Sequence, residues 1–262
     1  MITLHSDAFD VLVSPDRGAD IVQVTDRATS VPILAASPTG QVSAPRLASS
    51  DSTVQWINGS PGGWQLLAPN AGPHCVHDGV CLGFHGGAAV VRWSVLEQPE
   101  TAASLATNLL AVPLQRNRRF ELNGCELTLT DTITNLSPDP TSTRPALHPA
   151  LGSRFLDERS DIVVHAETVI TDADTPGSLA AADVVGGPRE ILTPGPVPHS
   201  IALPGLGSRE ALFAALTDFQ ADAANATFAS PTHGFGTRLS WDPSIYANAW
   251  LWMEANAGSG WP

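Results

Sequence analysis

Three side chains in this sequence are placed to move protons. His85 lies within Gly83-Phe84-His85-Gly86-Gly87, His148 within Pro145-Ala146-Leu147-His148-Pro149, and Glu254 closes Trp250-Leu251-Trp252-Met253-Glu254. Imidazole titrates closest to neutral pH of any side chain. A carboxylate at the end of a tryptophan-rich strand is expected to be desolvated on one side, which makes it a better proton acceptor. Groups of this kind are what general acid–base catalysis needs. Each also has a plainer use: a histidine beside proline as a hydrogen-bonded structural group, a glutamate as a solvated strand end, Trp250 and Trp252 as core. The two histidines and the carboxylate would equally form a two-His, one-carboxylate metal triad, and residue types do not separate that from proton transfer. His74, Cys75, His77 and Cys81 cluster in sequence but match no standard zinc spacing. Neither a Gly-x-Ser-x-Gly nucleophile elbow nor a glycine-rich phosphate loop ending in Lys-Ser or Lys-Thr is present.

His85 falls in a stretch, residues 62–93, with two Gly-Gly pairs, two tryptophans, three histidines and very little charge. Glycine permits close backbone approach, and tryptophan offers a flat apolar face with one donor. The combination reads as a site rather than a core.

Composition narrows the chemistry further. All 13 basic residues are arginine, so lysine Schiff bases, lysine-linked pyridoxal phosphate and the phosphate-loop lysine are excluded. A formal charge of -13 gives no basic footprint for nucleic acid or an anionic membrane surface, and a neutral small substrate suits it better. Three cysteines, Cys75, Cys81 and Cys125, are an odd and low count for a disulfide scaffold. No signal-peptide pattern opens the chain and no apolar run is long enough for a membrane-spanning helix, so a cytoplasmic setting is the expectation.

The elements that must position these residues are short strands. Residues 9–14 and 19–25 flank Pro15-Asp16-Arg17-Gly18 as a hairpin, and 31–34 is a third strand. Residues 36–60 read as a Ser/Pro/Thr-rich surface linker, long enough to hint at function. Strands are predicted over 88–96 and 104–112, and a hairpin over 118–122 and 125–135 around Asn123-Gly124, a dipeptide suited to positive φ at both central turn positions. Further strands follow at 144–151, 162–166, 210–216, 226–229, 236–241 and 248–254. Residues 171–206 form a loop-heavy insertion, and 208–217 is the best helical candidate, though equally a buried strand. The pattern predicts one all-β domain, 1–262, built as an antiparallel sandwich with few helices.

In order and spacing these motifs resemble the aldose 1-epimerases, or galactose mutarotase-like proteins. The resemblance rests on Gly18-Ala19-Asp20 and the strand after it, Gly62-Gly63-Trp64 through Pro69-Asn70-Ala71-Gly72, His85-Gly86 followed by Trp93, Thr132-Ile133-Thr134-Asn135 leading to His148-Pro149, and Trp252-Met253-Glu254. It implies a large antiparallel β-sandwich with a sugar cleft, and cofactor-free and metal-free interconversion of the α and β anomers of an aldose. On that resemblance Glu254 takes the proton of the anomeric hydroxyl, His148, as an imidazolium, protonates the ring oxygen, and His85 hydrogen-bonds the substrate. Trp64 and Trp252 would stack on a pyranose, and Gln65 and Asn70 would bind hydroxyls. A homodimer is compatible with it. Where many relatives carry Glu or another polar residue two after the first His, this chain has Gly87, and the arginine many carry near the first Gly-Gly is absent. A non-catalytic carbohydrate-binding protein, or another sugar isomerase or lyase on the same scaffold, is therefore the alternative.

Overall fold

A computed structural model describes residues 1–37, 50–59, 62–171, 199–203, 205, 207, 208, 210–220 and 224–255. The chain divides into two compact units, Met1–Gly152 and Ser153–Pro262. The paired strands are antiparallel, as the strand patterning predicts, with one helix among the described residues.

In the first unit a five-stranded sheet is formed by β1 (Ile2–His5), β2 (Phe9–Ser14), β3 (Asp20–Asp26), β4 (Trp64–Leu67) and β11 (Ala146–Pro149), in the order β1-β2-β3-β4-β11. A small hairpin joins β5 (Cys75–His77) to β6 (Val80–Leu82). A four-stranded sheet has the order β10-β9-β8-β7, from β7 (Ser94–Glu97), β8 (Ala102–Asn108), β9 (Leu114–Asn123) and β10 (Glu126–Asn135). The two larger sheets share one core: Ile2, Leu4, Val11, Val13, Ile21 and Leu66 from the first, and Leu105, Leu114, Phe120 and Leu122 from the second. Along β9 alternate residues are buried, and two of them are arginines. Arg118 survives there because its Nε and Nη2 donate to the two carboxylate oxygens of Asp131, both at 2.8 Å, a fork-to-carboxylate match that compensates a buried charge. Its guanidinium also lies 6.0 Å from the Trp93 ring centroid and 5.8 Å from that of Phe120.

Three local expectations shift. The β9–β10 turn is one residue later than Asn123-Gly124 suggests: Asn123 pairs with Glu126, leaving Gly124 and Cys125 as the loop, with Gly124 at φ 56°. Only the first central position needs positive φ, which glycine supplies. Residues 88–93 form a turn that buries Ala88, Ala89 and Trp93, and the strand begins only at Ser94. The turn is closed by the Trp93 indole donating to the Ala88 carbonyl at 3.1 Å and by Trp93 N–H donating to Pro15 O at 2.8 Å. Part of the expected linker is helix α1 (Ser52–Gly59), started by Asp51, whose carboxylate accepts from Thr53 N–H at 2.8 Å. Residues 38–49 and 60 of that stretch lie outside the described residues.

The second unit holds β12 (Asp161–Val164), β13 (Ala166–Thr171), β14 (His199–Ala202), β15 (Ala211–Phe219), β16 (Asn225–Ser230), β17 (Phe235–Ser240) and β18 (Ala249–Glu254). They form sheets β14-β12-β16-β17 and β13-β15-β18. The helical candidate at 208–217 is β15. A central strand covered on both faces reads as a continuous apolar run, which periodicity alone does not distinguish from a helix. Most of the insertion at 171–206 lies outside the described residues.

Candidate functional site

Two glycine-rich segments bring the two histidines together. Gly62 and Gly63 take φ of 78° and 79° just ahead of β4, which sets Gln65 opposite His148 in the β4–β11 register and Trp64 opposite Pro149. Opposed residues of an antiparallel pair share a face, so Gln65 and His148 project from the same side of the sheet. The loop after β6 carries His85. There Gly86, at φ 71°, lies so close to the Ala68 carbonyl that a Cβ would overlap it. That approach docks the loop against the end of β4 through the Ala68–Gly86 bridge and an Ala88 N–H bond to Ala68 O at 3.0 Å.

His85 itself has φ 58°, a left-handed conformation uncommon for a residue with a side chain. It is held by two bonds to one partner. Its N–H donates to Gly72 O at 2.9 Å, and its Nδ1 accepts from Gly72 N–H at 2.9 Å. Because a backbone N–H can only donate, Nδ1 carries no proton and the neutral ring bears its proton on Nε2. The ring centroids of His85 and His148 are 6.0 Å apart. Burial pushes the His85 imidazole down to about 4, with the neighbouring His148 adding to the effect, and burial also lowers His148. Both rings are therefore neutral at pH 7 in this environment. The imidazolium expected at His148 is not the resting form, because desolvation opposes charge.

The residues around the pair divide into braces and faces. Asn70 is buried; its Nδ2 donates to Gly83 O at 3.1 Å, bracing the His85 loop, while its Oδ1 has no partner among the described residues. Gln65 is also buried, and its amide donates to Asp20 Oδ2 at 3.3 Å. Asp20 is fully buried, and burial pushes its carboxyl up to about 7 against the opposing pull of Arg118. Trp64 is half-buried against the core, and its indole nitrogen has no partner among the described residues.

The sequence reading missed Trp56. It projects from α1 and meets His85 edge-on, with ring centroids 4.6 Å apart at 70°; it lies 5.5 Å from Phe84 and 6.2 Å from His148. The available signal was an Asp51 N-cap ahead of Val54 and Ile57, spaced as on one helix face.

Glu254 and Trp252 belong to the second unit. On β18, Glu254 stands opposite Ala211 and Trp252 opposite Phe213. Glu254 is exposed rather than desolvated as expected, because it alternates with Leu251 and Met253 and so shares the outer face of an edge strand with Trp250 and Trp252. Both tryptophans are 66% exposed. Phe213 stacks on Trp250 at 5.0 Å and meets Trp252 edge-on at 6.0 Å. Within the first unit His85 and His148 are brought together, and within the second Glu254 and Trp252 share one face of β18.

Neither metal alternative is assembled among the described residues, where no group of three or more His, Cys, Asp or Glu side chains is placed to hold an ion. In the β5–β6 hairpin, Cys75 pairs with Leu82 while Cys81 pairs with Val76, so the two thiols leave opposite faces.

No family model matches the chain, and no curated protein matches it. Solved structures do. A galactose mutarotase-like protein from Lactobacillus casei is 17% identical, with 98% of this chain and 83% of that one aligned, at a TM-score of 0.63. A galactose mutarotase related enzyme from Lactobacillus acidophilus is 16% identical over 96% and 80%, at 0.66. A candidate aldose 1-epimerase from Klebsiella pneumoniae is 15% identical over 97% and 66%, at 0.72. At these identities the likeness establishes the fold: this chain has the galactose mutarotase-like β-sandwich fold.

Proposed function

We propose that the protein interconverts the α and β anomers of an aldose. The observation that carries the reading is the pair of neutral, partly buried imidazoles of His85 and His148, 6.0 Å apart and walled by Trp56 and Phe84. Opening a pyranose hemiacetal removes the proton from O1 as the C1–O5 bond breaks and leaves on O5 a charge that is met by a proton from solvent water. Rotation about C1–C2 and the reverse steps give the other anomer. Glu254 takes the O1 proton. His148 serves O5 as a hydrogen-bond donor, the neutral ring acting on the oxygen where charge develops. His85, with Nδ1 occupied by Gly72, offers Nε2–H to a neighbouring sugar oxygen. The reading requires Glu254 to act on the same sugar as the two imidazoles. The solved structures of the same fold carry mutarotase-like and epimerase names, which supports the reaction class.

Anomer exchange is measured by NMR on freshly dissolved α-glucose, α-galactose and other aldoses. Wild type should accelerate exchange for at least one of them, and Glu254→Gln should lower kcat by about 100-fold or more, the usual scale for losing a general base. An unaccelerated panel, or an unchanged rate in E254Q, refutes the proposal. The exposed Trp250–Phe213–Trp252 surface favours a second reading, saccharide binding without turnover. Calorimetric binding with no faster exchange would establish it.

A further inference from the structure

Helix α1 is tied to the histidine loop at both ends of a short path. At its start, Ser52 Oγ accepts from Phe84 N–H at 3.0 Å, beside His85. One turn on, the Trp56 ring lies against His85 and near His148. Its indole Nε1 is buried and has no hydrogen-bond partner among the described residues. Buried indole N–H groups are normally paired, because leaving one unpaired forfeits its hydration. One further polar atom shares this condition beside the imidazoles: Asn70 Oδ1, on the brace of the His85 loop. Together with His85 Nε2–H, these make two neutral donors and one neutral acceptor. None of the three is charged, so they suit hydroxyls, which both donate and accept, better than an anion.

We propose that Trp56 is a substrate-contacting specificity residue, its indole N–H donating to a hydroxyl of a neutral pyranose held at His85 and His148. This rests on the anomer-exchange or sugar-binding reading of the same site. A structural role alone would need only the ring, which packs on His85 and Phe84; the proposal needs the N–H as well.

The test separates the two. Trp56→Phe keeps an aromatic ring and deletes the donor. In wild type labelled with 15N, the indole signal that is missing from W56F should move when the sugar identified by the exchange or calorimetric panel is added. W56F should bind that sugar about fivefold to tenfold more weakly, the scale of one hydrogen bond to a buried group, while the rest of its amide spectrum matches wild type. The backbone spectrum guards against misfolding, and the wild-type titration needs no folded variant beyond signal assignment. If wild type binds the sugar while the Trp56 signal stays still and W56F binds equally well, Trp56 only packs, and the proposal falls with the anomer-exchange reading intact. If wild type binds no sugar, both fall together.

Discussion

Asp20 allows a prediction whose size follows from the structure. Its carboxyl is fully buried beside Gln65, with Oδ1 unpartnered among the described residues, and burial moves its pKa from 3.8 to about 7. The folded state therefore holds this proton more tightly than the unfolded chain does. The group's contribution is most favourable below pH 4. It is lost as pH rises through the window from 3.8 to about 7 and is constant above that. The gap of about three pH units, at ~1.4 kcal/mol each, amounts to about 4 kcal/mol in total, of which about 3 kcal/mol falls between pH 5 and pH 8. Asp20→Asn keeps the shape of the protonated acid and removes the titration. Thermal unfolding of wild type and D20N at pH 5 and pH 8 reads the difference, in which every other titrating group cancels. The Tm advantage of D20N should be larger at pH 8 than at pH 5 by on the order of 5–10 °C, using about 2–4 °C per kcal/mol for a chain of this size. An equal advantage at both pH values, or a D20N protein less stable at pH 8, would show that Arg118 holds Asp20 as a carboxylate, and the reasoning from burial would be wrong.

Two further outcomes follow from the imidazole site. Because His85 protonates only near pH 4 and His148 below its ordinary value, catalysed anomer exchange should be level from pH 8 to about 6.5 and fall as pH drops further; protonation of His85 also breaks the Gly72 N–H bond to Nδ1. A background-corrected rate that climbs between pH 7 and pH 5 would make imidazolium the working form instead. Gly86→Ala sets a Cβ into the Ala68 carbonyl at a positive φ, and should destabilise the first unit by about 2 kcal/mol or more, with amide exchange quickening first in the His85 loop. Wild-type stability in that variant would mean the loop is not docked as described.

Much of this was legible in local patterns. The hairpin of β9 and β10 shows in the alternation of Leu127 and Leu129 with polar neighbours around a glycine turn, and only its loop slipped by one residue. His85 and His148 stand out as isolated polar groups in apolar segments. Trp56 did not, because its helix lies within a Ser/Pro/Thr-rich stretch and depends on one cap residue, Asp51, and on ring contacts to residues remote in sequence. Nor did the turn at 88–93, since an apolar run closed by its own tryptophan indole looks like a strand. Gln65 and Asn70, expected from their residue types to bind hydroxyls, spend amide hydrogens on Asp20 and Gly83, and only neighbours remote in sequence could show that.

By itself the sequence determined the antiparallel all-β class, the absence of any lysine chemistry, and which histidines and carboxylate to watch, because strand period, turn residues and residue inventory are local properties. Tertiary structure alone decided that His85 bears its proton on Nε2, that both imidazoles rest neutral, that Asp20 holds its proton to about pH 7, and that Trp56 stands beside them. Those properties depend on desolvation and on partners supplied by distant segments, and neither is encoded in the spacing of residues along the chain.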